Sequence, residues 1–151
     1  MKYITTGVKR MGLFDFLKGK KGAGFANWHA ETDVDKFSGI ELTDVESYVS
    51  RIDDQIYEFV ILTPPEPVDS CDAVMICKEN GIRVEFSIKG DHSMNKVYAK
   101  DGLSQAEAVA LIGDMANKGS VPALDSMQTV GTSSDPKKTW LERKISLHEI
   151  N

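Results

Sequence analysis

Ala108, Leu111, Ile112 and Met115 recur at i, i+3, i+4 and i+7, the spacing of one buried helix face. Ser104 and Glu107 stand three apart just before that stripe, the spacing of a capping box. Lys118 suits the negative end of the helix dipole, Gly119 suits a left-handed stop, and Pro122 prevents resumption. The stretch from Asp101 to Pro122 therefore reads as a complete helix with its start and stop. A second stripe, Val45, Tyr48, Val49 and Ile52, follows another candidate box at Thr43 and Glu46. It predicts a helix from about Asp44 to Asp53.

Between the two stripes the period changes. The run from Ile56 to Thr63 is apolar and β-branched enough for a buried strand, and Pro64, Pro65 and Pro67 stop it. D-A-V-M-I-C-K-E and I-R-V-E-F-S-I-K then flank Asn80-Gly81, the preferred dipeptide of a two-residue type I′ hairpin. That turn pairs Glu79 with Ile82, Cys77 with Val84, Met75 with Phe86 and Ala73 with Ile88. It turns Arg83 and Glu85 towards solvent. A fourth strand around Lys96 to Lys100 enters the Ser104 helix through Asp101-Gly102. The expected architecture is α+β: a four-stranded, mainly antiparallel meander with one helix before it and one after it, both on one face. Three regions are expected: a basic amphipathic segment with its linker over 1–24, the α+β domain over 25–124, and a loop with an edge strand or tail over 125–151.

Charge changes this picture more than composition does. The chain has 151 residues, 41% of them hydrophobic, enough for one domain with a real core. Its net charge of −5 is unevenly spread. Residues 1–21 carry six bases and one acid, residues 31–79 carry thirteen acids and three bases, and residues 80–151 carry nine of each. An acidic middle argues against binding a phosphate backbone and for steering a basic partner. At the basic end Leu13, Phe14, Phe16 and Leu17 form a short apolar face beside Lys18, Lys20 and Lys21. That face suits docking on the domain, a protein groove or a membrane surface. No signal peptide or apolar span is evident, and two cysteines make no disulfide framework, so the expected location is cytoplasmic.

Candidate chemistry is sparse. His29, His92 and His148 lack metal-ligand spacing. Glu31, Asp33 and Asp35 resemble only the opening of an EF-hand loop: Lys36 stands where its glycine belongs and Leu42 where its closing Glu belongs. G-K-G-K-K-G-A-G fails the phosphate-loop spacing, and Gly90-Asp91-His92-Ser93 reads as turn chemistry rather than a triad. Glu58 and Glu85 are the one pair of strand carboxylates for acid–base work, with a solvent role simpler for Glu85. No catalytic, cofactor or metal residue is assigned. A meander ending V-Y-A-K-D-G-L-S-Q-A-E-A has a general likeness to small bacterial domains, immunity-type proteins among them, but carries no motif that names a family. The expectation is a non-enzymatic protein-interaction module with an acidic surface. Its partner-binding residues would be Asp44, Glu46, Asp53 and Asp54, with Trp140 and Leu141 as apolar anchors. A peripheral membrane adaptor and a small enzyme with an unrecognised site are the alternatives, and homo-oligomerisation is left open.

Overall fold

The computed structural model describes residues 24–90 and 95–133. Their strands are β1 (His29–Thr32), β2 (Lys36–Ser38), β3 (Phe59–Thr63), β4 (Cys71–Lys78), β5 (Ile82–Lys89), β6 (Asn95–Leu103) and β7 (Gln128–Ser133). The helices are α1 (Leu42–Asp53), between β2 and β3, and α2 (Gln105–Lys118), between β6 and β7, with a short 3-10 turn at Leu124–Ser126. All seven strands join one antiparallel sheet in the order β2-β1-β3-β4-β5-β6-β7. The expected four-stranded meander is therefore corrected to a seven-stranded sheet. β1 and β2 extend one edge and β7 the other. β1 and β2, four and three residues long, are too short to show an alternating pattern. β7 follows a prolyl loop and is built of Gln, Thr, Val, Gly and Ser.

Both helices pack on one sheet face and share one core. Val45, Tyr48, Val49 and Ile52 of α1 and Ala108, Ile112, Met115 and Ala116 of α2 meet Val60, Leu62, Val74, Ile76, Val84 and Phe86. α2 has the expected box: Ser104 Oγ accepts the Glu107 N–H at 3.1 Å, and Glu107 accepts the Ser104 N–H at 2.9 Å. Gly119 closes the helix at φ 70°. α1 begins earlier than expected. Its cap is Glu41, whose N–H donates to Asp44 Oδ2 at 2.8 Å, so Thr43 and Glu46 are not its box. Its C-terminus is a Schellman motif, with Gln55 N–H to Ile52 C=O at 3.0 Å and Ile56 N–H to Arg51 C=O at 2.8 Å. Gln55 takes the left-handed position usually given to glycine, at φ 60°. The strand after it starts at Phe59, and Ile56 is left exposed in the connection.

The central hairpin is also corrected. Lys78 pairs with Ile82, Ile76 with Val84, Met75 with Glu85 and Val74 with Phe86. The pairing has slipped by one residue because the loop holds three residues, Glu79-Asn80-Gly81, with Glu79 N–H bonded to Gly81 C=O. The slip sends β-branched Val74 and Ile76 to the helix side with Val84 and Phe86. Met75 and Cys77 go to the far face with Arg83 and Glu85. The tight two-residue turn lies instead at Asp69-Ser70, both left-handed, where Val68 and Cys71 exchange both backbone bonds. On the far face Phe59, Ile61, Met75, Cys77 and Val97 form a second, smaller buried cluster. Among the described residues no helix packs against it.

Candidate functional site

Antiparallel pairing gathers charge at the end of the sheet where β1 stops and β3 begins. The Glu58 N–H donates to Asp33 Oδ1 at 3.3 Å, which holds the β1–β2 turn against the connection leaving α1. Over residues 31–58 the sequence has nine acids and two bases. The four expected partner residues fall within this stretch of sequence, Asp44 and Glu46 early in α1 and Asp53 and Asp54 at its end, and they divide into two kinds. Glu46 and Asp54 are exposed. Asp44 caps α1. Asp53 accepts from Gln105 Nε2 at 2.8 Å and lies 3.4 Å from Lys78 Nζ. The Gln105 bond first, and Lys78 second, hold the Asp53 carboxyl below its ordinary pKa. Asp44 and Asp53 are thus also tied to α1 and its surroundings. Trp140 and Leu141, and Leu13, Phe14, Phe16 and Leu17, lie outside the described residues, as do Asp91, His92 and Ser93.

The same stretch holds an unexpected feature. The exposed large apolar side chains among the described residues are Val34, Phe37, Leu42 and Ile56. All four fall between residues 34 and 56. Val34 tips the β1–β2 turn at 67% exposure and Ile56 ends the α1 connection at 62%. Phe37 is part-covered by stacking on Tyr48, with ring centroids 5.9 Å apart. Sequence pattern alone missed this grouping, because Ile56 reads as the first residue of a buried strand.

A second polar cluster sits on the far face at the hairpin end. The Arg83 guanidinium lies 2.9 Å from Glu85, 3.3 Å from Glu79 and 3.4 Å from Asp101. Glu85 is wholly buried, opposite Met75 and Ala99, and not solvent-facing. Glu58 precedes β3, so the two carboxylates do not form a facing pair. Cys77 Sγ and one carboxylate oxygen each of Glu79 and Glu85 lie within 4.8 Å of one another, close enough for metal ligands. The chemistry opposes that use: Arg83 already places a cation against both carboxylates, and a divalent ion would have to displace it. The other thiol, Cys71, is pushed up to about 12, mainly by burial, and is therefore a poor nucleophile.

One open cavity of about 290 Å³ lies beside β2, lined by His29, Glu31, Lys36, Ser38, Ile61 and Thr63 among others. His29 Nδ1 and Ser38 Oγ are 3.0 Å apart across the β1–β2 pair. This serine–histidine contact resembles a nucleophilic pair only in composition: among the described residues no bond is seen that orients the imidazole from its other nitrogen. No helix of the described residues is long and apolar enough to cross a membrane. Comparison with protein-family models, with curated proteins and with solved structures finds no match.

Proposed function

We propose that the chain is a non-enzymatic protein-interaction module that presents residues 31–58 to a basic partner, in the cytoplasm. One observation carries this reading: the exposed large apolar side chains of the described residues lie inside the stretch where acids outnumber bases nine to two. Carboxylates accelerate encounter with a basic surface and select against acidic ones. The apolar side chains supply the contact area that charge alone does not. Buried, unbridged Cys71 and Cys77 suit a reducing compartment. An immunity-like protein covering a basic toxin is one concrete form of this function.

The test is a pull-down from the native host at low and moderate salt. The variant combines Asp35→Asn, Glu46→Gln and Asp54→Asn, exposed positions that spare the braces at Asp44 and Asp53. Basic partners should be recovered with the wild type, weaken with salt and weaken further with the variant. Recovery of the same partners undiminished by the variant refutes the reading.

A further inference from the structure

We propose that the chain beyond β7, residues 134–151, lies across the far face of the sheet and closes a second core over Phe59, Ile61, Met75, Cys77 and Val97. Trp140 and Leu141 then belong to the chain's own core, whatever partner the acidic stretch binds. Burial and cover disagree on this face. Met75 and Cys77 are 0% exposed, Ile61 1% and Val97 4%. Glu85 and Ser87, on the same face, are wholly buried too. Yet both described helices pack on the opposite face. Neighbours within a sheet shield the sides of a side chain, and on an open face its outer end stays in water. A methionine with no exposed surface therefore has chain above it as well as beside it.

Three stretches lie outside the described residues: 1–23, 91–94 and 134–151. Residues 91–94 join β5 to β6 at one end of the sheet and are too few to reach Phe59 on β3. Residues 1–23 lead into Gly24, where a Cβ would lie 3.5 Å from Asn117 Oδ1 of α2. Phe25 and Trp28, which follow, belong to the helix-side core, so that segment starts from the wrong face. Residues 134–151 start from the right place. β7 ends at Ser133 opposite Asn95, whose side chain is buried on the far face against Ser87. From β7 to β4 is three strand spacings, about 14 Å. Residues 134–138 span up to roughly 17 Å when extended, enough to set Trp140 and Leu141 over Met75 and Cys77.

The chemistry of the two surfaces agrees. Trp140, Leu141, Ile145 and Leu147 give the segment large apolar side chains. The floor beneath them is small or pliable at its centre, Ala73, Met75 and Cys77, with Phe59 and Ile61 beside it. A thioether adapts to the shape of an aromatic ring and contacts it favourably. The polar groups of the face have partners within the sheet: Arg83 lies 2.9 Å from Glu85, and Asn95 Nδ2 donates to Ser87 Oγ at 2.7 Å. An apolar cover therefore leaves them satisfied. The alternation over residues 139–147 also suits an edge strand. A strand paired to β7 lies beside the sheet, however, and leaves Met75 without cover.

The experiment uses the full chain and reads its two cysteines, Cys71 in the helix-side core and Cys77 on the far face. Trp140→Ser with Leu141→Ser should let iodoacetamide reach Cys77 at least about tenfold faster, by peptide-resolved mass spectrometry, with Cys71 as slow as in the wild type. Leu13→Ser with Phe14→Ser should leave both thiols protected. In the unaltered chain, NOEs should join the Met75 methyl group to the Trp140 ring or to the methyl groups of Leu141 or Ile145. Unchanged protection of Cys77 after the Trp140 and Leu141 substitutions overturns the proposal. Opening of Cys77 by the Leu13 and Phe14 substitutions gives the face to the N-terminal segment and overturns it as well. Opening on dilution of the wild type, with a dimer seen in sedimentation, gives the face to a second copy and has the same consequence. The NOE measurement needs no variant to fold, and NOEs from Met75 to none of those three residues refute the proposal on their own.

Discussion

Gly81→Ala and Gly102→Ala together test the corrected hairpin. Both glycines have positive φ, 93° and 68°. An alanine there costs about 1–2 kcal/mol of left-handed strain. It recovers roughly 0.5–1 kcal/mol from the stiffer unfolded chain. Each substitution should therefore lose about 1 kcal/mol on backbone grounds alone. Their surroundings differ. A Cβ on Gly81 falls 3.1 Å from Gly102 Cα and 3.4 Å from its carbonyl carbon. Those are backbone atoms of β6 and cannot rotate aside. A Cβ on Gly102 meets nothing nearer than the Asn80 carbonyl oxygen at 3.9 Å. Crowding should add about 1–2 kcal/mol at Gly81 only, giving roughly 2–3 kcal/mol there against about 1 kcal/mol at Gly102. Urea melts followed by far-UV circular dichroism measure both, with the slope m checked for constancy. If Gly102→Ala costs as much as Gly81→Ala, the close approach of loop and β6 is wrong. If Gly81→Ala lies within about 0.5 kcal/mol of wild type, the left-handed assignment fails as well.

Gln55→Gly should stabilise the chain by about 0.5–1 kcal/mol by relieving the left-handed Schellman position, and a lower melting temperature would contradict the motif. Ile112→Ala should cost about 2–5 kcal/mol and Ser104→Ala about 1 kcal/mol in guanidinium melts; the reverse order would mean α2 is wrongly oriented. Bonds from the Ser104 backbone and hydroxyl hold the Glu107 carboxyl below its ordinary pKa. The unfolded chain therefore takes up that proton first, and stability falls as pH drops from about 5 through the folded value. Glu107→Gln should flatten that limb in melts across pH, and an unchanged limb would remove the cap's contribution. Cys71 should resist iodoacetamide at pH 8 until urea unfolds the chain, as read by peptide-resolved mass spectrometry; rapid native labelling would show that its burial is overstated.

How much of this was legible depended on whether local chemistry and tertiary packing agreed. They agree over Ser104 to Gly119, where cap, stripe and left-handed stop are all local, and the helix stands as read. At the start of α1 they diverge. Thr43 and Glu46 have the right spacing, yet the helix starts one residue before Thr43, with Leu42 exposed at its first turn. Asn80-Gly81 is the strongest hairpin signal in the sequence, but its loop is a residue longer than that signal implies. Asp69-Ser70 has no glycine and forms the tight turn, because pairing of Val68 with Cys71 imposes left-handed backbone on both residues. β1 and β2 have three or four residues each, too few for a period to emerge. The candidate site was legible as charge but not as shape. The acids are countable in the sequence, whereas the exposure of Val34, Phe37 and Ile56 depends on where the strands end.

The register slip also decides which acids remain for a partner. Moving Val74 and Ile76 to the helix side places stiff, branched side chains in the main core. It leaves unbranched Met75 and the small Cys77 on the far face beside charged groups, where an adaptable side chain packs most readily. Glu85 is then buried on that face, and burying its carboxylate is tolerable only with a cation against it. Arg83 fills that role from 2.9 Å and draws Glu79 and Asp101 into the same arrangement. Asp53 is likewise engaged by Gln105 and Lys78. These four carboxylates hold the scaffold together and contribute less to attraction at a distance. Under the proposed function, the exposed carboxylates at the β1–β2 turn and along α1, Asp35, Glu46 and Asp54 among them, are left to act on a partner. Asp35, Glu46 and Asp54 fall between residues 31 and 58, the span that also holds the exposed apolar side chains Val34, Phe37, Leu42 and Ile56.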